Sequence, residues 1–349
     1  MQTEQIIRYD TPLERRTYPD PAPQGSEVLV RLTSCGVCHS DVHLRDGYVP
    51  LGGDDRLDMT AGRTFPFTLG HEMEGNVAAL GPEADGVTVG QRVAVFPWIG
   101  CGTCVQCRQG NENLCFKPCH MGINVDGGFA DHIIVPHARY LLDCGDLEPG
   151  RAGCLMCSGL TAFGALKKAP PLGPEDPLLI IGAGGVGLMS VKLARHVHPR
   201  APLLVADIRP SARETALEAG AHAVYDPSEK AELKRLAADS GGVATVIDFV
   251  GASTTVKTGS RAIRRGGCVI VVGLFGGMLS LPTPLLPIQA MTIAGSFVGT
   301  LAEASALIAL ARAGQVDTIP MERRGLGDAN RSLDDLAAGT VTGRIVLSV

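Results

Sequence analysis

Leu178-Leu179-Ile180-Ile181-Gly182-Ala183-Gly184-Gly185-Val186-Gly187 is the stretch on which the fold turns. Four apolar residues predict a buried strand, and the helical spacing of Met189, Val191, Leu193 and Val197 predicts a helix directly after the glycines. Gly182, Gly184, Gly185, Val186 and Gly187 therefore form the turn between strand and helix. Such a turn lets backbone N–H groups and a helix N-terminus approach a pyrophosphate. Asp207 ends the next apolar run, Leu203–Ala206, twenty residues after Gly187. An acidic residue in that place accepts hydrogen bonds from an adenosine ribose and repels a 2′-phosphate, so NAD is expected over NADP. Arg209, two residues on, is a nearby cation that works against this preference.

The rhythm of the stretch continues outward. Pro210 suits the first turn of a helix that stops at Gly220, and residues 243–249 and 268–272 are further apolar runs with helical segments between them. Alternating strand and helix predicts a doubly wound parallel sheet, a Rossmann-type cofactor domain, over residues 155–297. The first half reads differently. Residues 28–32, 74–80, 92–96 and 130–135 are short β candidates between Gly/Pro turns, which predicts an irregular β-rich domain. Near the end of the chain a helix is expected at 301–313 and a closing strand at 344–349.

Length and charge narrow the function. A chain of 349 residues fits two domains, and 45% apolar with 19% charged residues is a globular composition. A net charge of −5 offers no electrostatic case for nucleic acid or an anionic membrane, so a small molecule is the expected partner. Between Arg265 and Glu303 there is no charged side chain, yet Gly273, Gly276, Gly277, Pro282, Pro284 and Pro287 deny it a spanning helix. Two readings of that segment are open: protein interior, or a subunit interface depleted in charge.

Metal chemistry concentrates in the first 150 residues, which hold eight of the eleven cysteines and six of the nine histidines. Cys101, Cys104, Cys107 and Cys115 are spaced to close around one zinc ion, because short chelate loops bring soft sulfurs together. Two disulfides are the alternative, and they need an oxidising compartment. The opening Met1-Gln-Thr-Glu-Gln-Ile-Ile-Arg8 has no apolar signal-peptide core, so a cytoplasmic location is expected. A second group of potential ligands comprises Cys38-His39-Ser40-Asp41-Val42-His43, Gly70-His71-Glu72 and Cys154-Leu-Met-Cys157. Two sulfurs and an imidazole would leave zinc with an open position for a substrate oxygen. Spacing alone does not select among these residues.

The order of these features resembles the zinc-containing medium-chain alcohol dehydrogenases: Cys38-His-Ser-Asp, Gly70-His71-Glu72, four clustered cysteines, Cys157-Ser-Gly-Leu-Thr161, the glycine loop with Asp207, and Gly343-Arg344. The resemblance spans essentially the whole chain and implies a GroES-like catalytic domain, in which residues 1–154 are joined by 298–349, beside the Rossmann domain. It implies two zinc ions per chain, a structural one on the four-cysteine cluster and a catalytic one on Cys38, His71 and Cys157, with Glu72 as an alternative ligand. Cys154 then reads as a bystander, and its use as third ligand is the alternative. Asp41 would orient His71. Ser40 would take the substrate hydroxyl proton and pass it to His43. His39 would face the pyrophosphate, Thr161 and Leu274 the nicotinamide, and Arg344 the cofactor phosphates.

The implied activity is reversible hydride transfer between NAD and a primary or secondary alcohol, aldehyde or ketone, in a homotetramer or homodimer. Two rivals are an NADPH-dependent reductase of activated C=C bonds, which has no use for a Lewis acid, and a zinc-stabilised nicotinamide-binding protein without turnover. The connection at 52–63 is longer than the family pattern and reads as a lid or as a solvated excursion. Tyr48, Val49, Phe96 and Trp98 are pocket-lining or core residues, and Cys35, Cys119, Cys144 and Cys268 read as buried thiols without a task.

Overall fold

The computed structural model describes every residue except Ala61, Asp317, Thr318 and Thr342. Two compact units emerge, residues 1–48, 58–160 and 299–349 in the first and residues 49–57 and 161–298 in the second.

In the second unit six parallel strands lie in the order Ala223–Tyr225, Leu203–Ala206, Leu178–Ile181, Val243–Asp248, Ile263–Val271, Thr292–Gly295. This is the third, second, first, fourth, fifth and sixth strand in chain order, the arrangement of doubly wound dinucleotide-binding sheets. Every residue of Leu178–Ile181, Leu203–Ala206 and Val243–Asp248 is buried, as a sheet covered on both faces requires. Leu179, Leu204, Val246 and Val269 pack with Tyr225 and Leu236 in its core. The fifth strand begins earlier than the apolar run at 268 suggests. Its opening residues, Ile263-Arg-Arg-Gly-Gly, carry charge and glycine that mask a strand in the sequence.

The first unit holds a seven-stranded sheet in which Val28–Val37 is flanked by Glu72–Leu80 and Arg344–Ser348. Three smaller strands, Gln2–Ile6, Glu14–Thr17 and Phe67–Thr68, form a separate sheet. The charge-free stretch contains strand, turns and a short helix, Leu285–Gln289, and no helix among the described residues is long and apolar enough to cross a membrane.

The long connection folds as a two-stranded sheet, Tyr48–Gly52 with Asp55–Asp58, and its residues 49–57 pack with the second unit. Gly52 lies against the backbone of Gly277, and Gly276 against the carbonyl of Pro50. Ala61, within the expected loop, lies outside the described residues.

Candidate active site

The Val28–Val37 strand delivers Cys38, which caps a helix, His39–Asp46. Asp41, with no exposed surface, organises the corner. One carboxylate oxygen accepts the Cys38 amide at 2.8 Å; the other accepts the Gly70 amide at 3.2 Å and stands 3.3 Å from His71 Nδ1. Gly70 has φ +94, and a side chain there would collide with Phe129 and Cys35. The turn before His71 thus needs glycine.

Cys157 arrives from a π-helical turn, Leu155–Gly159, set between helical segments Arg151–Cys154 and Leu160–Lys168. Such turns are concentrated at functional sites. Its sulfur lies 3.8 Å from that of Cys38. Ligand atoms of Cys38, His71, Glu72 and Cys157 all lie within 4.8 Å of one another, and all four residues are buried. Two sulfurs each about 2.3 Å from a tetrahedral zinc stand about 3.8 Å apart, so the donor set and its spacing fit that ion. Among the described residues His71 Nε2 has no hydrogen-bond partner, which leaves a buried ring nitrogen available to a metal. Cys154 is outside this group. Of the remaining thiols expected to be buried, Cys35, Cys144 and Cys268 are, whereas Cys119 is exposed.

The electrostatics agree with a cation site. A hydrogen bond from Cys157 holds Cys38 well below the usual thiol pKa, while Cys157 itself is pushed well above it. Burial opposes charge on His71, yet Asp41 and Cys38 outweigh it and raise its pKa. The protons kept on His71 and Cys157 are those a divalent metal displaces.

Glu72 and Arg344 form a buried ion pair. Arg344, expected at the cofactor phosphates, is 5% exposed and pairs with Glu72. Gly36 pairs with Glu72 across the sheet, and a Cβ on Gly36 would sit 2.0 Å from Glu72 Oε2 and 2.9 Å from Glu72 Cβ. The missing side chain makes room for that carboxylate. Sequence reasoning passed over Gly36, although a glycine inside a buried strand marks a close approach.

Ser40 Oγ lies 3.8 Å from Cys38 Sγ. His43 is half-buried, burial lowers its pKa, and its ring meets that of exposed His39 edge-on at 5.4 Å. Trp98 is buried, donates from Nε1 to the Met156 carbonyl at 2.8 Å, and sets its ring edge-on to His71. Phe96 is fully buried and stacks on Tyr140, a core position.

Cys101, Cys104, Cys107 and Cys115 form the other group with metal-ligand spacing. Cys104 Sγ is 3.5 Å from Cys107 Sγ and 3.9 Å from Cys115 Sγ, too long for S–S bonds and close to the tetrahedral separation. The amides of Cys101 and Lys117 point at Cys115 Sγ, as donors do toward a thiolate. Glu112, unnoticed in the sequence, anchors this lobe by accepting from the Gly100 amide, Arg139 and Tyr140.

In the second unit Gly182 takes φ +88, and a Cβ on Gly187 would lie 1.8 Å from the Gly182 carbonyl oxygen. The helix Gly185–Val197 therefore starts against the end of its strand. Gly184 caps it with open space where a side chain would be, a cradle suited to a pyrophosphate. Asp207 closes the turn: its oxygens accept the Ala183 and Arg209 amides, each at 2.8 Å, and the Arg209 side chain stands 3.4 Å away. Thr161 is half-buried and Leu274 is exposed.

Residues 24–145 match the family model described as alcohol dehydrogenase GroES-like domain, and residues 185–313 the model described as zinc-binding dehydrogenase. An NAD-dependent alcohol dehydrogenase of Saccharolobus solfataricus is 37% identical over 99% of both chains. An alcohol dehydrogenase of Geobacillus stearothermophilus is 31% identical over 100% of both. Among solved structures, the alcohol dehydrogenase of Aeropyrum pernix superposes with TM-score 0.90 at 30% identity, covering 100% of both chains. With both of its parts matched and full-length relatives above 30% identity, the chain belongs to the zinc-containing medium-chain alcohol dehydrogenase family.

Proposed function

We propose that the protein is an NAD-dependent alcohol dehydrogenase that interconverts primary or secondary alcohols and their carbonyls with two zinc ions per chain. The observation that carries this reading is the buried group of Cys38, His71, Glu72 and Cys157, whose donor atoms lie within 4.8 Å in a chain related over its full length to such enzymes. When bound there, zinc supplies a Lewis acid for the substrate oxygen, and NAD supplies the hydride acceptor.

The chain's own residues do the rest. Asp41 fixes the His71 ring and the Cys38 backbone, so the donor atoms need no reorganisation. Ser40, next to Cys38 Sγ, accepts the substrate hydroxyl proton, and His43, neutral near pH 7 because burial lowers its pKa, relays it outward. Trp98, buried and edge-on to His71, forms part of the wall that packs the ring in place. Gly182, Gly184, Gly185, Val186 and Gly187 receive the pyrophosphate, and Asp207 the adenosine ribose. Thr161 and Leu274 flank the nicotinamide, and His39 faces the phosphates. The four-cysteine lobe holds the second zinc and has no open position for substrate. The first unit is the catalytic domain and residues 161–298 the cofactor domain.

Free thiols in both groups suit the reducing cytoplasm. The exposed apolar side chains of Phe275, Met278, Leu279 and Ile288 lie in the charge-free stretch beside the edge strand Thr292–Gly295, and they support assembly as a homodimer or homotetramer. Metal analysis with a substrate panel read by NADH absorbance tests the reading. Two zinc ions per chain are expected, and Cys157→Ala should lose one of them and alcohol oxidation while retaining NADH binding. One zinc in the wild type, or an active Cys157→Ala enzyme, would overturn it.

A further inference from the structure

The glycine loop follows the carboxyl ends of the central strands. At their amino ends a different pocket opens, of about 60 Å³, beside Leu178 and Leu203, the first residues of two parallel strands. At about 10–15 Å³ per water this is room for roughly four waters, the bulk of one tetrahedral oxyanion and too little for a nucleotide.

Its polar lining is basic throughout: Arg195, His198, Arg200 and His222, with no carboxylate. His198 is 7% exposed and donates from Nε2 to the Leu166 carbonyl at 2.9 Å. His222 accepts the Leu203 amide on Nδ1, which places its own proton on Nε2 as a donor. Arg195 lies across Gly220, whose φ of +107 and missing side chain leave space for the guanidinium. Among the described residues neither Arg195 nor Arg200 has a side-chain hydrogen bond or ion pair, whereas Arg213, Arg235 and Arg264 of the same unit each meet a carboxylate. Two arginine forks without partners, over a buried imidazole and a second imidazole donor, form a recognition surface for a small anion.

We propose that this pocket binds a compact oxyanion, either inorganic phosphate or the phosphate head of a monoester. A competing account is that Arg195 and its neighbours merely complement the carbonyl end of the helix Gly185–Val197. That account predicts no saturable anion binding.

Calorimetric titration separates the two. The zinc-loaded protein is saturated with NADH, so that the dinucleotide loop is filled, and titrated with inorganic phosphate and then with methyl phosphate at ionic strength matched with chloride. Saturable binding of one phosphate per chain is expected, with affinity roughly tenfold or more weaker in Arg195→Ser/Arg200→Ser. Both side chains are exposed, and an unchanged NADH affinity verifies that the double variant keeps its fold. Binding of both titrants assigns the site to phosphate monoesters as well as the free ion; binding of inorganic phosphate alone assigns it to the free ion. No saturable binding, or equal affinity in the double variant, overturns the proposal.

Discussion

Two residues outside the ligand sets control the site in ways that can be measured. Gly36 yields its side-chain volume to Glu72, and the nearest obstacles to a Cβ include Glu72 Cβ, which cannot swing away. Gly36→Ala should therefore push the Glu72 backbone or break its pair with Arg344, at about 1–3 kcal/mol of overpacking. An unfolding free energy lower by that amount in urea titration, with reduced turnover, is expected; a variant equal to wild type in both would show that Glu72 has another place to go. His120 sits edge-on to Trp98 behind His71, and burial depresses its pKa to about 4. The unfolded ring takes its proton near 6.5 and the folded ring only near 4, so the unfolded state binds more protons in that window. The stabilisation is complete above pH 6.5 and is lost as pH falls toward 4, on the order of 3 kcal/mol. His120→Phe has no such proton to take up. From pH 6.5 to 4 the wild type should lose that amount of unfolding free energy relative to His120→Phe, and a constant difference would mean the ring is not buried neutral.

At the scale of elements, legibility followed locality and burial. Leu178–Ile181 and Leu203–Ala206 were readable to the residue because strands covered on both faces are plain apolar runs between turn signals. Glu14–Thr17 was not, since all four residues are exposed and carry no alternation. The four-cysteine lobe was legible from spacing within fifteen residues, whereas Cys38, His71 and Cys157 are far apart in sequence and needed the family resemblance to be grouped. Asp41 was placed by the same resemblance, but the Glu72–Arg344 pair was missed, because ion pairs across a sheet leave no trace in spacing. The sheet at 48–58 was hidden by Asp54, Asp55, Arg56 and Asp58, charges that argue for an exposed loop. Its seat is nevertheless tight: a Cβ on Gly276 would come within 2.4 Å of the Pro50 carbonyl oxygen, at a φ of +99. Gly276→Ala should lift the sheet off residues 276–278. Hydrogen exchange across 48–58 should then quicken while the central strands stay protected, and unchanged exchange would deny the contact its role.

For the whole molecule, the charge-free stretch has the most to say about assembly. Read as interior, it would be covered; instead Phe275, Met278, Leu279 and Ile288 stand exposed, with Met278 at 68% and Phe275 at 69%. Thr292–Gly295 ends the six-stranded sheet and pairs with a strand on one side only, its Gly295 carbonyl accepting from Lys168 Nζ at 2.6 Å. No charge, proline or bulge within this strand guards it, which is how monomeric proteins blunt such an edge. A second copy of the chain would cover both features with one contact, and a two-fold axis would set each edge against its twin. Charge placed in that surface should then act on mass before it acts on stability. Met278→Asp/Ile288→Asp removes two exposed apolar side chains and adds like charges that face each other across a symmetric contact. Light scattering on the purified wild type should give twice or four times the chain mass, and the double variant should fall to a smaller species with its NADH site intact. A wild type that runs as a monomer, or a variant that keeps the wild-type mass, would exclude this face as the contact.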